Sequence, residues 1–473
     1  MTLASADTAF VDGLRAKLPH DRLRATDARY LSEPRARWQG TATTVALPRT
    51  TQEVATIIAA CHAARVGVVP FGGGTGLVGG QIAPMPVRPL VLSLERMTCI
   101  REVYPRENVL TTEAGAILAD VQNAAQDHNR LFPLSLASEG SARIGGLLAT
   151  NAGGVGVLRY GNARDLCLGL EAVLPDGQIW HGLRRLRKDN TGYDLRNLLI
   201  GSEGTLGVIT AATLKLSPRP AHRGTAMFVV KDPSAALDLL ALTRDHLGEA
   251  ISAFELISGQ GLDFLAETLP EIRRPFAPHP AWMVLIDLGM ARGSDPDAAL
   301  GTLFAAAHDA GLSPNAVIAQ SETQRRQFWS VREHIPEANR RIGSVSSHDI
   351  SVPLGAIPDF IQRANQTIAD IGAFRINCFG HLGDGNLHYN VFPLPGHSRA
   401  DHTDDRDRIK RDLHDLVHAC GGSISAEHGI GRLKVADLER YGDSVKLAAM
   451  RAIKAALDPH GIMNPGAVLR DIP

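Results

Sequence analysis

Val68-Val69-Pro70-Phe71-Gly72-Gly73-Gly74-Thr75-Gly76-Leu77-Val78-Gly79-Gly80 is a β-branched run that opens into a loop with six glycines in nine residues. Without Cβ atoms, successive backbone N–H groups can turn toward one ligand and the chain can take positive φ. The stretch therefore predicts a strand followed by a cradle for phosphate oxygens. Gly74-Thr75-Gly76-Leu77-Val78-Gly79 also matches G-x-G-x-x-G, but that dinucleotide motif needs a helix directly behind it, whose N-terminus holds the pyrophosphate. Here Pro84, Pro86 and Pro89 fall within six residues and cannot continue a helix. This argues against a nicotinamide-binding Rossmann unit and leaves a loop that binds through its own amides.

Working outward, Thr50-Thr51-Gln52-Glu53 reads as a capping box ahead of Val54, Ile57, Ile58 and Cys61 at helical spacing, with Gly67 closing the helix. Residues 89–94 and 109–113 read as strands and 116–128 as a helix, so the region is mixed α/β. Upstream, residues 1–39 carry Arg15, Lys17, Arg22, Arg24, Arg29, Arg35 and Arg37 without apolar periodicity and read as a loosely packed lead-in ending near Trp38. Asp7, Asp12, Asp21 and Asp27 interrupt the basic run and disfavour a transit peptide. Downstream, the small polar residues of 133–154 leave the backbone uncovered, which suits a flat ligand lying against peptide groups. Residues 170–180 read as a hairpin turning at Asp176-Gly177. Lys188-Asp189-Asn190-Thr191-Gly192-Tyr193-Asp194 follows, and then Gly201 to Thr210, a further glycine-punctuated approach to a strand.

The whole chain, 473 residues, is too long for one core. Its 49 Lys+Arg against 50 Asp+Glu give a net charge of −1 and no electrostatic case for nucleic acid, so a small metabolite is the expected partner. No apolar run approaches the ~20 residues of a membrane span. The start lacks a signal-peptide pattern, and a cytoplasmic location is expected. Five scattered cysteines without a C-x-x-C pair read as reduced thiols, several of them in the core.

Pro218-Arg219-Pro220 marks a boundary, beyond which strand-like and helix-like segments alternate, giving a second domain with an antiparallel sheet and helices on one face. Within it, Asp384-Gly385 is a turn signal between His381 and His388, so the flanking residues can fold back and bring the two imidazoles together. Two imidazoles with a carboxylate, here Glu427, is a common set for a divalent metal with an open position. Taken alone, two histidines seven apart are weak evidence, and surface histidines are the simpler reading.

The loop at 71–80, the segment 133–154 and the run from Gly201 to Thr210 resemble the FAD-binding domain of the vanillyl-alcohol oxidase or p-cresol methylhydroxylase (PCMH) type. His381-Leu-Gly-Asp-Gly-Asn-Leu-His388 and Ser425-Ala-Glu-His-Gly-Ile-Gly431 resemble the paired signatures of the D-2-hydroxy acid dehydrogenase branch, which includes D-2-hydroxyglutarate dehydrogenase, D-lactate dehydrogenase and glycolate oxidase subunit relatives. The resemblance runs from about Trp38 to Val468. It implies an α+β fold: a PCMH-type FAD-binding domain at 40–219, an α/β substrate or cap domain with an antiparallel sheet at 220–425, and a C-terminal segment at 426–473 returning to the flavin.

The resemblance also implies site roles. Pro70, Gly72, Gly73, Gly74, Thr75 and Gly76 would hold the FAD pyrophosphate region. Ser138, Gly140, Ser141, Gly145, Gly146 and Asn151 would contact the isoalloxazine, with Gly204, Ile209 and Asn464 nearby. The loop lacks the histidine of covalent members, so non-covalent FAD is expected. His381, His388 and Glu427 would bind a divalent metal, with zinc expected. Asn390 would touch substrate, His428 is the candidate base, and Arg332 matches the arginine used for a substrate carboxylate. The implied activity is oxidation of a D-2-hydroxy acid, of D-lactate or D-2-hydroxyglutarate type, with a quinone or an electron-transfer flavoprotein as acceptor and a homodimer left open. A non-catalytic flavin subunit or sensor of a larger oxidase is the alternative, and a metal hydrolase is a third reading. D-2-hydroxyglutarate dehydrogenases resembling this chain carry a threonine or similar polar residue where Pro336 stands and a lysine where Ser347 stands. Arg340, Arg341 and His348 are the candidates to compensate.

Overall fold

The computed structural model describes residues 3–470. The chain divides into two compact units. One comprises residues up to 154, 161–219 and 427 onward; the other comprises 155–160 and 220–426. The division after Arg219 falls at the Pro-Arg-Pro segment.

In the first unit, Thr44–Ala46 and Val68–Phe71 both pair parallel with Leu90–Ser93, which is buried along its whole length. The helix Thr51–Ala64 connects two of these strands, as a parallel connection requires. Its N-terminus is capped by the Thr50 side chain, which accepts from the Glu53 amide. Gly67 does not close it. Arg65, at φ 53°, takes the left-handed cap position, and Gly67 instead lets the closing segment approach, since a Cβ there would lie 3.2 Å from Cγ of Pro465. A second sheet of five antiparallel strands has Val208–Lys215 at its centre, between Val109–Glu113 and Cys167–Val173. Cys167–Val173 and Ile179–Gly182 form the hairpin, with Gly177 at φ 90° in its turn.

The lead-in is not loosely packed. Leu23–Ala25 pairs with Thr44–Ala46, Tyr30 is fully buried with its ring 5.0 Å from that of Phe71, and Arg22 binds Glu53 at 2.7 Å. The helix Thr8–Arg15 buries Val11 and Leu14, with Leu18 and Leu23 buried after it, so a short apolar face, one aromatic anchor and ion pairs hold this segment.

The second unit is built on a seven-stranded antiparallel sheet. From edge to edge its strands are Ala316–Ile318, His222–Val230, Trp282–Met290, Ile251–Ser258, Arg375–His381, Asn386–Phe392 and Ser346–Ser351. Helices cover both faces rather than one. Met227 packs with the helices Gly259–Thr268 and Glu322–Ile342, whereas the next residue, Phe228, points to the other face and meets Phe304 of Pro296–Asp309. The strands are accordingly apolar on both faces rather than alternating. Cys61, Cys167 and Cys378 are buried free thiols. Among the described residues no helix is long and apolar enough to cross a membrane.

Candidate active site

In the first unit the glycine loop forms one wall of a cavity. Pro70, the run from Gly72 to Gly76, Gly145, Gly146, Gly204, Ile209 and His428 all line it. The loop packs closely on the backbone of 141–146 because its glycines carry no side chains: a Cβ at Gly73 would collide with the Ser141 carbonyl, and one at Gly72 would lie 3.4 Å from Cα of Gly146 in the helix Ile144–Ala149. Gln81, which also lines the cavity, pins the loop, donating to the carbonyl of Gly76 at 2.7 Å and of Gly74 at 3.3 Å.

Ser138, Gly140, Ser141, Asn151 and Asn464 are not among the cavity walls. The carbonyl of Ser138 accepts the amides of Ser141 and Ala142, closing a turn, and Gly140 and Ser141 are exposed. Asn151 accepts the Arg164 amide through its side chain. Asn464 donates its amide to the carbonyls of Gly80 and Glu203, while its backbone N–H reaches Val68. It ties the closing segment to the loop.

Two charged residues of this cavity lay outside the sequence reading. Arg143 lines the wall and donates to the Gly115 carbonyl, with burial lowering its pKa. Glu203, at φ 51°, accepts the amides of Ile430 at 2.7 Å and Gly431 at 2.8 Å, which fixes the turn just after His428. Burial pushes the Glu203 carboxyl above its ordinary value, against the pull of those two N–H groups and of Lys434. Glycine amides, a cation and an acid displaced toward its neutral form suit an anionic ligand.

In the second unit the strands Arg375–His381 and Asn386–Phe392 fold back on Gly385, at φ 84°, and bring the rings of His381 and His388 to 5.7 Å. Phe379 lies directly opposite His388, their rings 5.0 Å apart, and Cζ of Arg332 lies 4.8 Å from the Phe379 ring. Arg332 comes from the helix Glu322–Ile342. The structure adds Glu255, an acid in the otherwise apolar strand Ile251–Ser258. Its Oε2 accepts from Nε of Arg332 at 2.7 Å, and its Oε1 from Nδ1–H of His381 at 2.6 Å. Burial raises the Glu255 pKa, but the electrostatic pull and hydrogen bonds of His381 and Arg332 outweigh it and hold the group at about 2. The sequence signal was an isolated carboxylate in an apolar strand, which a buried partner must satisfy.

Asn390 is buried, opposite Asn377 on one side and Ser347 on the other. Ser347 is exposed on the edge strand. Pro336 stands one turn beyond Arg332 inside the helix and offers no N–H to the Arg332 carbonyl. The candidates to compensate for Ser347 are engaged elsewhere. Arg340 and Arg341 both bind Glu337, and His348, which faces away from Ser347 along the strand, binds Ser346 at 2.9 Å. Glu427 follows Ala426, whose amide reaches the Asp349 carbonyl, and Asp349 lies opposite His388. His381, His388 and Glu427 form a group that could hold a metal ion.

Comparison with known proteins agrees with this layout. Residues 42–182 match the FAD binding domain family, and residues 219–468 match the C-terminal domain of FAD linked oxidases. Mitochondrial D-2-hydroxyglutarate dehydrogenase of Bos taurus is 36% identical over 94% of this chain and 80% of its own length. The D-2-hydroxyglutarate dehydrogenase of Xanthomonas citri is 37% identical over 91% and 90%. Among solved structures, p-cresol methylhydroxylase with substrate bound superimposes with a TM-score of 0.75 at 16% identity, each chain covered fully. Alkyldihydroxyacetonephosphate synthase gives 0.71 at 17%, covering 98% of this chain and 86% of that one. These two establish the PCMH-type fold. On the matched domains and full-length relatives together, this chain belongs to the FAD-linked oxidases, in the D-2-hydroxy acid dehydrogenase branch.

Proposed function

We propose that this enzyme oxidises a D-2-hydroxy acid to the 2-oxo acid with non-covalent FAD and a divalent metal, zinc being the expected ion. The observation that carries the reading is Arg332, a buried guanidinium on the same sheet face as two paired imidazoles. A cation there suits a carboxylate, and imidazoles suit the metal that would bind the adjacent hydroxyl.

The residues present fit both groups. The first unit's cavity offers glycine amides and Arg143 to a pyrophosphate. His381, His388 and Glu427 supply a donor set that zinc, manganese or iron accepts. When bound, FAD supplies N5 as acceptor for the hydride leaving C2, and the metal supplies a Lewis acid that makes the 2-hydroxyl easier to deprotonate. The protein does the rest. Arg332 has its Nε engaged by Glu255 and keeps the terminal nitrogens of the fork for the substrate carboxylate. Asn390 supplies a further polar contact. His428 takes the hydroxyl proton, as an imidazole can near neutral pH. Oriented binding of this kind is worth several kcal/mol of barrier, on the order of 7–11 in the best intramolecular cases.

Ser347 and Pro336 are the two positions at which the resemblance implies a departure from the D-2-hydroxyglutarate dehydrogenase pattern. Arg340 and Arg341 bind Glu337 and His348 binds Ser346, so none of these three is set aside for a distal carboxylate, and smaller or less polar acids stay open beside the diacid. A quinone or an electron-transfer flavoprotein is the expected final acceptor.

The test is the visible spectrum of the purified holoenzyme under anaerobic conditions, with D-lactate, D-2-hydroxyglutarate and their L forms added separately. Bleaching by one D-acid only is the expected result, and its loss on chelation and in His381→Ala ties it to the metal. A flavin spectrum that no hydroxy acid bleaches sinks the reading.

A further inference from the structure

Arg332 and His381 come from different elements, a helix and a strand, and would serve different ends. Yet one carboxylate holds both. Oε2 of Glu255 takes the Nε–H of Arg332 at 2.7 Å, and Oε1 takes the Nδ1–H of His381 at 2.6 Å. Glu255 itself is 1% exposed, so no solvent competes for either oxygen. Packing alone would not require this. The strand position opposite His381 could carry any apolar residue, as its neighbours Phe254 and Leu256 do.

Two consequences follow from the geometry. With Nδ1–H of His381 fixed on Glu255, the ring presents Nε2 as its lone-pair nitrogen, and the ring plane is set. With Nε of Arg332 fixed on the same group, the guanidinium is held over Phe379 with its terminal nitrogens directed away from Glu255. We propose that Glu255 is a positioning residue that sets the metal-facing tautomer of His381 and the orientation of the Arg332 fork through one carboxylate, so that metal and 2-hydroxy acid binding depend on the same group. The proposal rests on the metal reading above.

Only a carboxylate can do this. Glutamine keeps the volume, but its amide has one acceptor end and one donor end, so it can accept from Arg332 or from His381 but not from both. Glu255→Gln therefore separates positioning from filling space, and Glu255→Asp keeps both acceptors on a shorter arm.

The experiment is a Co²⁺ titration of the metal-stripped, FAD-loaded protein followed by its ligand-field absorption, with D-lactate and D-2-hydroxyglutarate affinities read from the flavin spectrum in parallel. Wild type, Glu255→Gln and Glu255→Asp are compared, with thermal melting as the folding control. The expected result is a Co²⁺ affinity reduced ~10- to 100-fold in Glu255→Gln, with weaker acid binding and partial recovery of both in Glu255→Asp. Unchanged Co²⁺ affinity in a folded Glu255→Gln overturns the proposal while leaving the metal reading intact. A wild type that takes up no Co²⁺ overturns the metal reading and this proposal with it. If Glu255→Gln does not fold, Glu255→Asp decides. Co²⁺ and acid affinities both unmoved by the lost methylene overturn the proposal, and a joint loss supports it.

Discussion

Glu203, half-buried, and Glu255, fully buried, each brace residues at the centre of their unit, and their surroundings drive them in opposite directions. Glu203 faces backbone: it accepts two amides of the turn after His428, and burial raises its pKa. Glu255 faces charge: a guanidinium and an imidazole hold it at about 2. The cofactor unit shapes its site from main chain, using glycines and a carboxylate that pins a turn. The second unit shapes its polar cluster from side chains whose charges compensate one another. Partial charges on amides are fixed by the fold, whereas an ion pair fails when either member is lost.

The largest effect should therefore come from breaking the charged arrangement. Arg332→Ala leaves Glu255 buried with His381 as its remaining partner, and removing one member of a buried pair costs about 3–5 kcal/mol. Melting temperature should fall sharply together with kcat/KM. Arg332→Met combined with Glu255→Leu removes both charges and should recover much of the stability, since apolar replacement of a buried pair is often neutral. It should recover none of the turnover. An Arg332→Ala protein that melts and turns over like wild type would falsify the role given to this pair.

The first unit predicts a gentler, pH-dependent effect. A carboxyl whose folded pKa is raised contributes stability that is full below its unfolded value, ordinarily near 4.5, and is lost as pH rises through the folded value. Glu203→Gln does not titrate. The stability of wild type relative to Glu203→Gln should thus decline as pH climbs above about 4.5, measured by chemical denaturation across that range. A gap that instead widens with pH would mean that the two amides dominate over burial at this site.

How much of this was legible depends on which kind of site it was. The glycine loop declared itself because backbone binding demands residues without side chains, and that demand is written locally at 72–80. The turn at Asp384-Gly385 was legible for the same reason, and the pairing of His381 with His388 followed from it. The Lys188 to Asp194 motif stays outside both sites, with Tyr193 almost fully exposed. The Arg143 and Glu203 wall positions and the Glu255 bridge were not legible. Each is a single charged residue whose partner lies far along the chain, 77 residues away for Glu255 and Arg332 and 227 for Glu203 and Ile430. The packed lead-in failed to show for another reason: its apolar spacing, Val11, Leu14 and Leu18, spans only two turns and is set among charged residues, while Tyr30 and the ion pairs that finish the packing carry no period. Ser138, Gly140, Ser141 and Asn151 also hold local backbone: Ser138 closes a turn onto Ser141, and the Asn151 side chain accepts the Arg164 amide.

The smallest predicted effect bears most directly on what the enzyme prefers. Ser347 lies opposite Asn390, which puts it on the same sheet face as His388, and its side chain is exposed. A lysine there would extend an ammonium along that face toward a distal carboxylate, in a position that solvent reaches. Exposed ion pairs are worth roughly 0.2–1 kcal/mol, so Ser347→Lys should shift the kcat/KM ratio of D-2-hydroxyglutarate over D-lactate upward by at most about fivefold. The shift should shrink at high salt, because screening weakens an exposed pair far more than the buried Arg332–Glu255 pair. A shift far larger than this would mean that the added ammonium is shielded from water when the diacid binds. No shift at all would mean that the distal end of the acid does not reach the Ser347 edge, and the preference would then have to be set beside Pro336.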